Sequence, residues 1–148
     1  MPAGESGQGP ESWELFTNLW SLMQSVMDDS APALEGLGLS IKSFSLLASV
    51  EEVPFPAELA RIMHLPPPTV TYLVKQLESL GLIERRAEPG DLRKFRLVLT
   101  AAGEKTIGKG REAIGSVVRE RLSRISPKDV AVLDRIVSAL TSGRGFEQ

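Results

Sequence analysis

The chain reads as mainly α with a small β-hairpin wing, a winged helix-turn-helix with a helical dimerisation region drawn from both ends. Three observations predict this. From Leu59 to Gly103, two helical patterns are followed by a basic strand-like hairpin and then a helix start. Within that run, Leu73, Leu77 and Leu80 recur at i, i+4 and i+7, and Val70 and Val74 thicken the same face. The second helix therefore has one packed side and one hydrogen-bonding side. The hairpin carries Arg85, Arg86, Arg93, Lys94 and Arg96 around a Pro89-Gly90 turn signal.

The elements follow in order. Residues 1–9 are rich in Gly, Pro, Ser and Glu and read as a disordered tail. A first helix is expected from about Pro10 to Ser30. Its apolar residues form two stripes, Trp13, Phe16, Trp20, Met23 and Met27 on one and Leu15, Leu19, Leu22 and Val26 on the other. A helix apolar on two faces needs cover on both, and a second subunit is the available source. Gly36 and Gly38 break the chain, and Ser40 caps a short core helix containing Ile41, Phe44, Leu47, Ala48 and Val50. Ala57 to Met63 forms the first helix of the pair, with His64-Leu65 as the turn. The second begins near Pro67, because consecutive prolines fit only a first helical turn, where the amides have no partner anyway.

Gly81 ends that helix. Leu82–Arg86 and Phe95–Leu99 are expected to pair as strands. Thr100 should cap a helix reaching about Arg124, with Ile107, Ile114, Val117, Val118, Arg121, Leu122 and Ile125 approximating one stripe. Ser126-Pro-Lys-Asp129 reads as a capping box, and a last helix bearing Val130, Leu133, Ile136, Val137 and Leu140 should stop at Gly143. This divides the chain into a winged domain over 36–100 and a helical dimerisation region over 10–35 and 101–148.

Composition excludes several function classes. The 148 residues are 42% hydrophobic and 24% charged, ordinary values for a single packed core. No apolar run approaches the roughly 18 residues of a membrane span, and no export signal is visible, so a cytoplasmic location and no membrane partner are expected. The absence of cysteine removes disulfides, thiolate metal sites and thiol redox chemistry. His64 is the single histidine, and without cysteine or clustered carboxylates around it a structural role is expected, not metal binding. With no nucleophile–base arrangement and no Gly-rich phosphate loop, neither an enzyme nor a cofactor is expected.

The net charge of −2 is uneven. Residues 1–60 hold one Lys or Arg against nine Asp or Glu, net −8. Residues 61–100 hold seven against four, and residues 101–148 nine against six, net +3 in each. Lys75, Arg85, Arg86, Arg93, Lys94 and Arg96 form a basic island around the second helix and the hairpin. Phosphate contacts need cations spread along two strands of nucleic-acid backbone, and a helix flanked by a basic hairpin supplies them. The plain alternative is a solvated hairpin whose charges only keep it soluble.

Several short strings lie in this run: Glu58-Leu-Ala, Thr69-Val-Thr, Leu77-Glu78, Gly81-Leu-Ile-Glu-Arg-Arg86, Asp91-x-Arg93 and Leu99-Thr100-x-x-Gly103. Together, with their spacing, they resemble the signature of the MarR family of bacterial transcriptional regulators. The resemblance implies an obligate homodimer with intertwined first and last helices. It also implies two recognition helices in successive major grooves of a pseudo-palindromic double-stranded DNA operator. The family's wing Arg, matched by Arg93, enters the minor groove and is held by the Asp matched by Asp91. A turn-stabilising ion pair is the structural alternative for these two.

Two departures stand out. Pro66-Pro67-Pro68 occupies a helix start where the family usually has a Ser or similar polar residue, and Tyr72 stands where it often has Arg. Base-edge reading then falls to Thr69, Thr71, Tyr72, Lys75 and Gln76, with Pro67 or Pro68 placed to touch thymine methyls. Many relatives release DNA when a small aromatic or phenolic compound enters the cleft beside the dimerisation region. Trp13, Trp20, Met23, Met27 and Phe44 would line that cleft here, and Lys42 or Arg111 would meet an anionic group. The alternative for these residues is dimer core. The reading that results is a transcriptional repressor, its rival a winged protein-interaction module that has lost DNA binding.

Overall fold

A computed structural model describes Gly9 and residues 11–142; the expected tail and the expected stop at Gly143 otherwise lie outside the described residues. The order is α1 (Ser12–Glu35), α2 (Ile41–Ser49), α3 (Pro56–Ile62), α4 (Pro67–Ser79), β1 (Ile83–Glu88), β2 (Asp91–Leu99), α5 (Ala101–Leu122) and α6 (Pro127–Thr141). These are the helices and hairpin that the sequence predicts, in the same order. Among the described residues no helix is long and apolar enough to cross a membrane.

α1 does not stop at Ser30 but continues through Pro32. Pro32 loses the bond its own amide would have made and crowds the carbonyl four residues back, yet the added turns carry Leu34 into full burial. The amides of Leu37 and Leu39 then close on the Leu34 carbonyl at 2.9 and 3.0 Å, so the helix end is satisfied by the chain that leaves it. α2 starts on a reciprocal box. The Ser40 hydroxyl accepts from the Ser43 amide at 3.1 Å, and the Ser43 hydroxyl accepts from the Ser40 amide at 2.8 Å.

The α3–α4 turn passes through His64 at φ 52°, with the Leu65 amide bonded back to Ala60 at 3.0 Å. α4 begins at Pro67, as the prolines dictate. At its far end Gly81 (φ 72°) donates to Glu78 and Leu82 to Leu77, a paired closure that turns the chain into β1. The hairpin is antiparallel, with Ile83 opposite Leu99, Arg85 opposite Leu97 and Ala87 opposite Phe95. Both strands run further than expected, to Glu88 and from Asp91, because Gly90 at φ 91° makes the reversal tight enough for Glu88 and Asp91 to pair. One more backbone bond, Leu97 amide to Pro54 carbonyl at 2.8 Å, attaches the α2–α3 connection to the outer edge of β2.

The core is centred on the winged unit, with Leu34 of α1 and Ile107 of α5 packed onto it: Leu34, Leu39, Phe44, Leu46, Leu47, Leu59, Val70, Leu73, Val74, Leu77, Leu82, Ile83, Leu97 and Ile107 pack together. α5 is fastened to it at its start. The Thr100 hydroxyl accepts from the Gly103 amide at 3.0 Å and donates to the Gly81 carbonyl at 2.6 Å. Gly103 has no room for a side chain, since a Cβ would fall 2.1 Å from the Leu82 carbonyl oxygen.

The two ends of the chain behave differently. Of the stripe expected along α5 only Ile107 is fully buried, and α6 buries no residue. The α6 box is half formed. Ser126 accepts from the Asp129 amide at 3.1 Å, but the Asp129 carboxylate takes the Ser126 hydroxyl proton at 2.7 Å. An Asp side chain is one methylene shorter than the Glu that usually reaches back to the cap amide. Asp29 of α1 and Arg121 of α5 form an ion pair that ties the two long helices together.

Candidate nucleic-acid interface

α4 divides cleanly between two surroundings. Val70, Leu73, Val74 and Leu77 face the core. Pro67, Pro68, Thr71, Tyr72 and Lys75 face outward and exposed, while Thr69 and Gln76 are half-buried at the border. Tyr72 is 68% exposed, with its ring and phenol both free to meet a base edge. The Thr71 hydroxyl donates to the Pro67 carbonyl at 3.0 Å, which leaves it an acceptor and a methyl toward the outside. Pro66 to Pro68 carry no amide hydrogens, so this helix starts with three rings where backbone donors usually stand.

The wing tip projects beside that helix. Asp91 accepts the Arg93 backbone amide at 3.0 Å through Oδ1. Among the described residues the two side chains make no ion pair. The carboxylate lies two positions before the amide it binds, so it folds the loop and leaves the guanidinium of Arg93 exposed. Lys94 is exposed next to it, and Leu92 at the apex is 96% exposed.

The six cations of the basic island are not equivalent. Arg85 is paired with Glu78 in the last turn of α4, and its guanidinium lies 4.8 Å over the Phe95 ring. Arg96 sits 3.7 Å from Glu88 and 5.9 Å from the Phe55 ring. Arg86 is 3.5 Å from its strand neighbour Glu84, with both side chains well exposed. Among the described residues Lys75, Arg93 and Lys94 have no carboxylate within ion-pair distance. The sequence pattern counts these charges but cannot show which are already matched: Glu78, Glu88, Phe55 and Phe95 were not among the expected site residues. Strand alternation holds the one available signal, since Arg85 falls on the same face as core residue Leu97.

The residues expected to hold an aromatic ligand are dispersed in the single chain. Phe44 is core, pressed against Gly110, while Trp13, Trp20 and Met23 are exposed on α1, Met27 is half-buried, and Lys42 and Arg111 point outward. Trp13, Phe16 and Trp20 stack along α1 with ring centroids 5.5 and 6.4 Å apart. Two cavities, of about 540 and 500 Å³, flank the wing instead. The larger lies over Val50, Pro54, Arg86, Arg96 and Leu99, the smaller over Phe55, Pro56, Glu88, Arg93 and Phe95.

Residues 37–94, from the α1–α2 connection into β2 of the wing, match the model of the MarR family. Solved structures extend the likeness over nearly the whole chain. A transcriptional regulator from Thermotoga maritima superposes with a TM-score of 0.71 at 25% identity, covering 93% of this chain and 100% of that one. Apo MarR from E. coli gives 0.75 at 20% identity, over 85% and 96%, and a variant of that protein has been solved with operator DNA. CouR from Rhodococcus jostii RHA1, bound to p-coumaroyl-CoA, gives 0.70 at 21% identity, over 91% and 96%. With the family's model on the helix-turn-helix and wing and the same architecture in solved members along the rest, the chain has the winged helix-turn-helix fold of, and is similar to, the MarR family of transcription regulators.

Proposed function

We propose that the chain is a repressor that binds a pseudo-palindromic operator as a homodimer. The observation that carries this reading is the alignment of an exposed recognition face (Thr71, Tyr72, Lys75) with a wing tip whose cations, Arg93 and Lys94, have no carboxylate partner among the described residues. In this reading α4 enters the major groove, where Tyr72, Lys75, Thr71, Thr69 and Gln76 meet base edges and Pro67 and Pro68 meet thymine methyls. Arg93 enters the adjacent minor groove from a loop held by Asp91, and Arg86 and Lys94 neutralise phosphates.

The dimer is supported by the apolar faces that the single chain leaves open. Trp13, Phe16, Leu19, Trp20 and Met23 on α1, and Leu133, Ile136, Val137 and Leu140 on α6, are all exposed. Such surface is far more than scattered apolar residues need, and a second copy would cover it. The reading extends to release by an aromatic or phenolic effector, supported by CouR, whose solved structure holds p-coumaroyl-CoA.

The test is selection of bound fragments from the native genome, followed by anisotropy titration across salt. A steep fall of log K with log salt, about 0.9 for each phosphate neutralised, and a two-fold symmetric footprint are expected. A flat salt response would favour the protein-interaction module. Quenching of Trp13 and Trp20 by aromatic acids, with operator release, tests the effector.

A further inference from the structure

We propose that Arg85 is a positioning residue and not a phosphate ligand. With Glu78 and Phe95 it forms a strut that holds the wing at a fixed pitch to the recognition helix, and so sets the distance between major-groove and minor-groove contacts. This rests on the DNA-binding reading above.

The hairpin has two faces. Arg85 lies opposite buried Leu97 on the inward face, while Arg86 and Arg96 oppose one another on the outward face. The Arg85 Nε donates to the Glu78 carboxylate at the end of α4, and its guanidinium covers the Phe95 ring on β2. One side chain thereby joins α4, β1 and β2, adding a side-chain link to the short Leu80–Leu82 connection between α4 and β1 and to the ladder between the strands. The two charged side chains are about one-third exposed (35% and 31%), so the contact is shielded better than a fully exposed pair. To reach a phosphate, Arg85 would abandon the ring and leave Glu78 unpaired beside the DNA backbone, negative charge facing negative charge. An acid at the C-terminal end of a helix is also unfavourable unless a cation answers it.

A second fastening lies on the outward face, where Arg96 meets Glu88 and the Phe55 ring at the start of α3. Lys75 lies one turn before Glu78, and Arg93 lies beyond the fastened part of the wing. The core holds the base of the wing through Ile83 and Leu97, and these side-chain bridges set the pitch of the part beyond it. Base pairs stack about 3.4 Å apart, so a small change of wing pitch misplaces Arg93 by a whole step.

The experiment uses the genome-selected operator fragment and the full chain, with E78Q, R85A, R85K and the swap E78R/R85E. Each is titrated across salt on the native fragment and on one with a base pair inserted between the major-groove bases and the minor-groove step. E78Q, R85A and R85K should each weaken operator binding about tenfold with the wild-type salt slope. Each should also discriminate less against the inserted base pair, and the swap, which restores the ion pair but not the ring contact, should recover part of the loss. R85K guards against a misfolded R85A, because lysine keeps a phosphate contact but loses the planar stack. The strut is overturned if E78Q binds as tightly as wild type or tighter, or if R85A lowers the slope by about 0.9 while R85K restores it. A wild type that binds no fragment removes the DNA-binding reading and the strut together, an outcome distinct from failure of the variants alone.

Discussion

Gly110 of α5 touches the ring of Phe44 in α2 so closely that a Cβ at position 110 would fall 2.1 Å from Cε2. The contact lets α5 lie on the winged core, and it explains why Phe44 is buried and not part of an open cleft.

Replacing Gly110 with Ala should therefore destabilise the fold by about 1–3 kcal/mol, the usual cost of overpacking. Urea unfolding at fixed protein concentration measures it. Because the clash is with one ring, Gly110→Ala combined with Phe44→Leu should cost clearly less than the two changes separately. Additive losses would show that the two residues do not meet.

Thr100 should be sensitive in a different way. Its hydroxyl both caps α5 and binds the Gly81 carbonyl, so Thr100→Val should cost about 1–2 kcal/mol. Thr100→Ser keeps both bonds and should lie near wild type. Thermal unfolding of the pair separates loss of the hydroxyl from loss of the methyl.

At the wing tip the bond runs from the Arg93 amide to the Asp91 carboxylate, so the acceptor matters more than the charge. Asp91→Asn should retain most operator affinity and Asp91→Ala should lose several-fold. Lys94→Ala should flatten the salt dependence by about 0.9 in slope, while Arg93→Ala should weaken binding by loss of the minor-groove contact. Equal losses for Asn and Ala would mean that Asp91 acts through its charge.

The apolar ends should fail first in assembly. Ile136→Glu on α6, or Trp20→Glu on α1, should shift the chain from dimer to monomer by sedimentation and abolish cooperative binding to a two-half-site fragment. Both positions are exposed in the single chain, so unchanged sedimentation would locate the dimer elsewhere.

How much of this was legible in the sequence depends on distance along the chain. The helix starts at Ser40, Pro67 and Thr100 were readable because caps and prolines act within one turn. The stripe Leu73, Leu77 was readable because periodicity is local. The wing was longer than expected, since cross-strand pairing next to Pro89-Gly90 is decided by geometry that residue type only suggests. α1 ran past Ser30 because burial of Leu34, a tertiary matter, outweighed Pro32. In the candidate site, outward placement of Tyr72 and Lys75 followed from the α4 pattern. The pairing of Arg85 with Glu78 and Phe95, and of Arg96 with Phe55, did not, because each joins separate elements. Counting cations gave six where the fold leaves three without a carboxylate neighbour among the described residues.

The Leu97–Pro54 bond has a further consequence. An open strand edge is a template for another chain, and β2 has one such edge. There the Leu97 amide is taken by Pro54 and the Arg93 amide by Asp91, while Pro54 and Pro56 have no amide to offer in return. Lys94 and Arg96 add like charge along the same strand. The outer edge of β2 is thus guarded against recruiting a foreign strand.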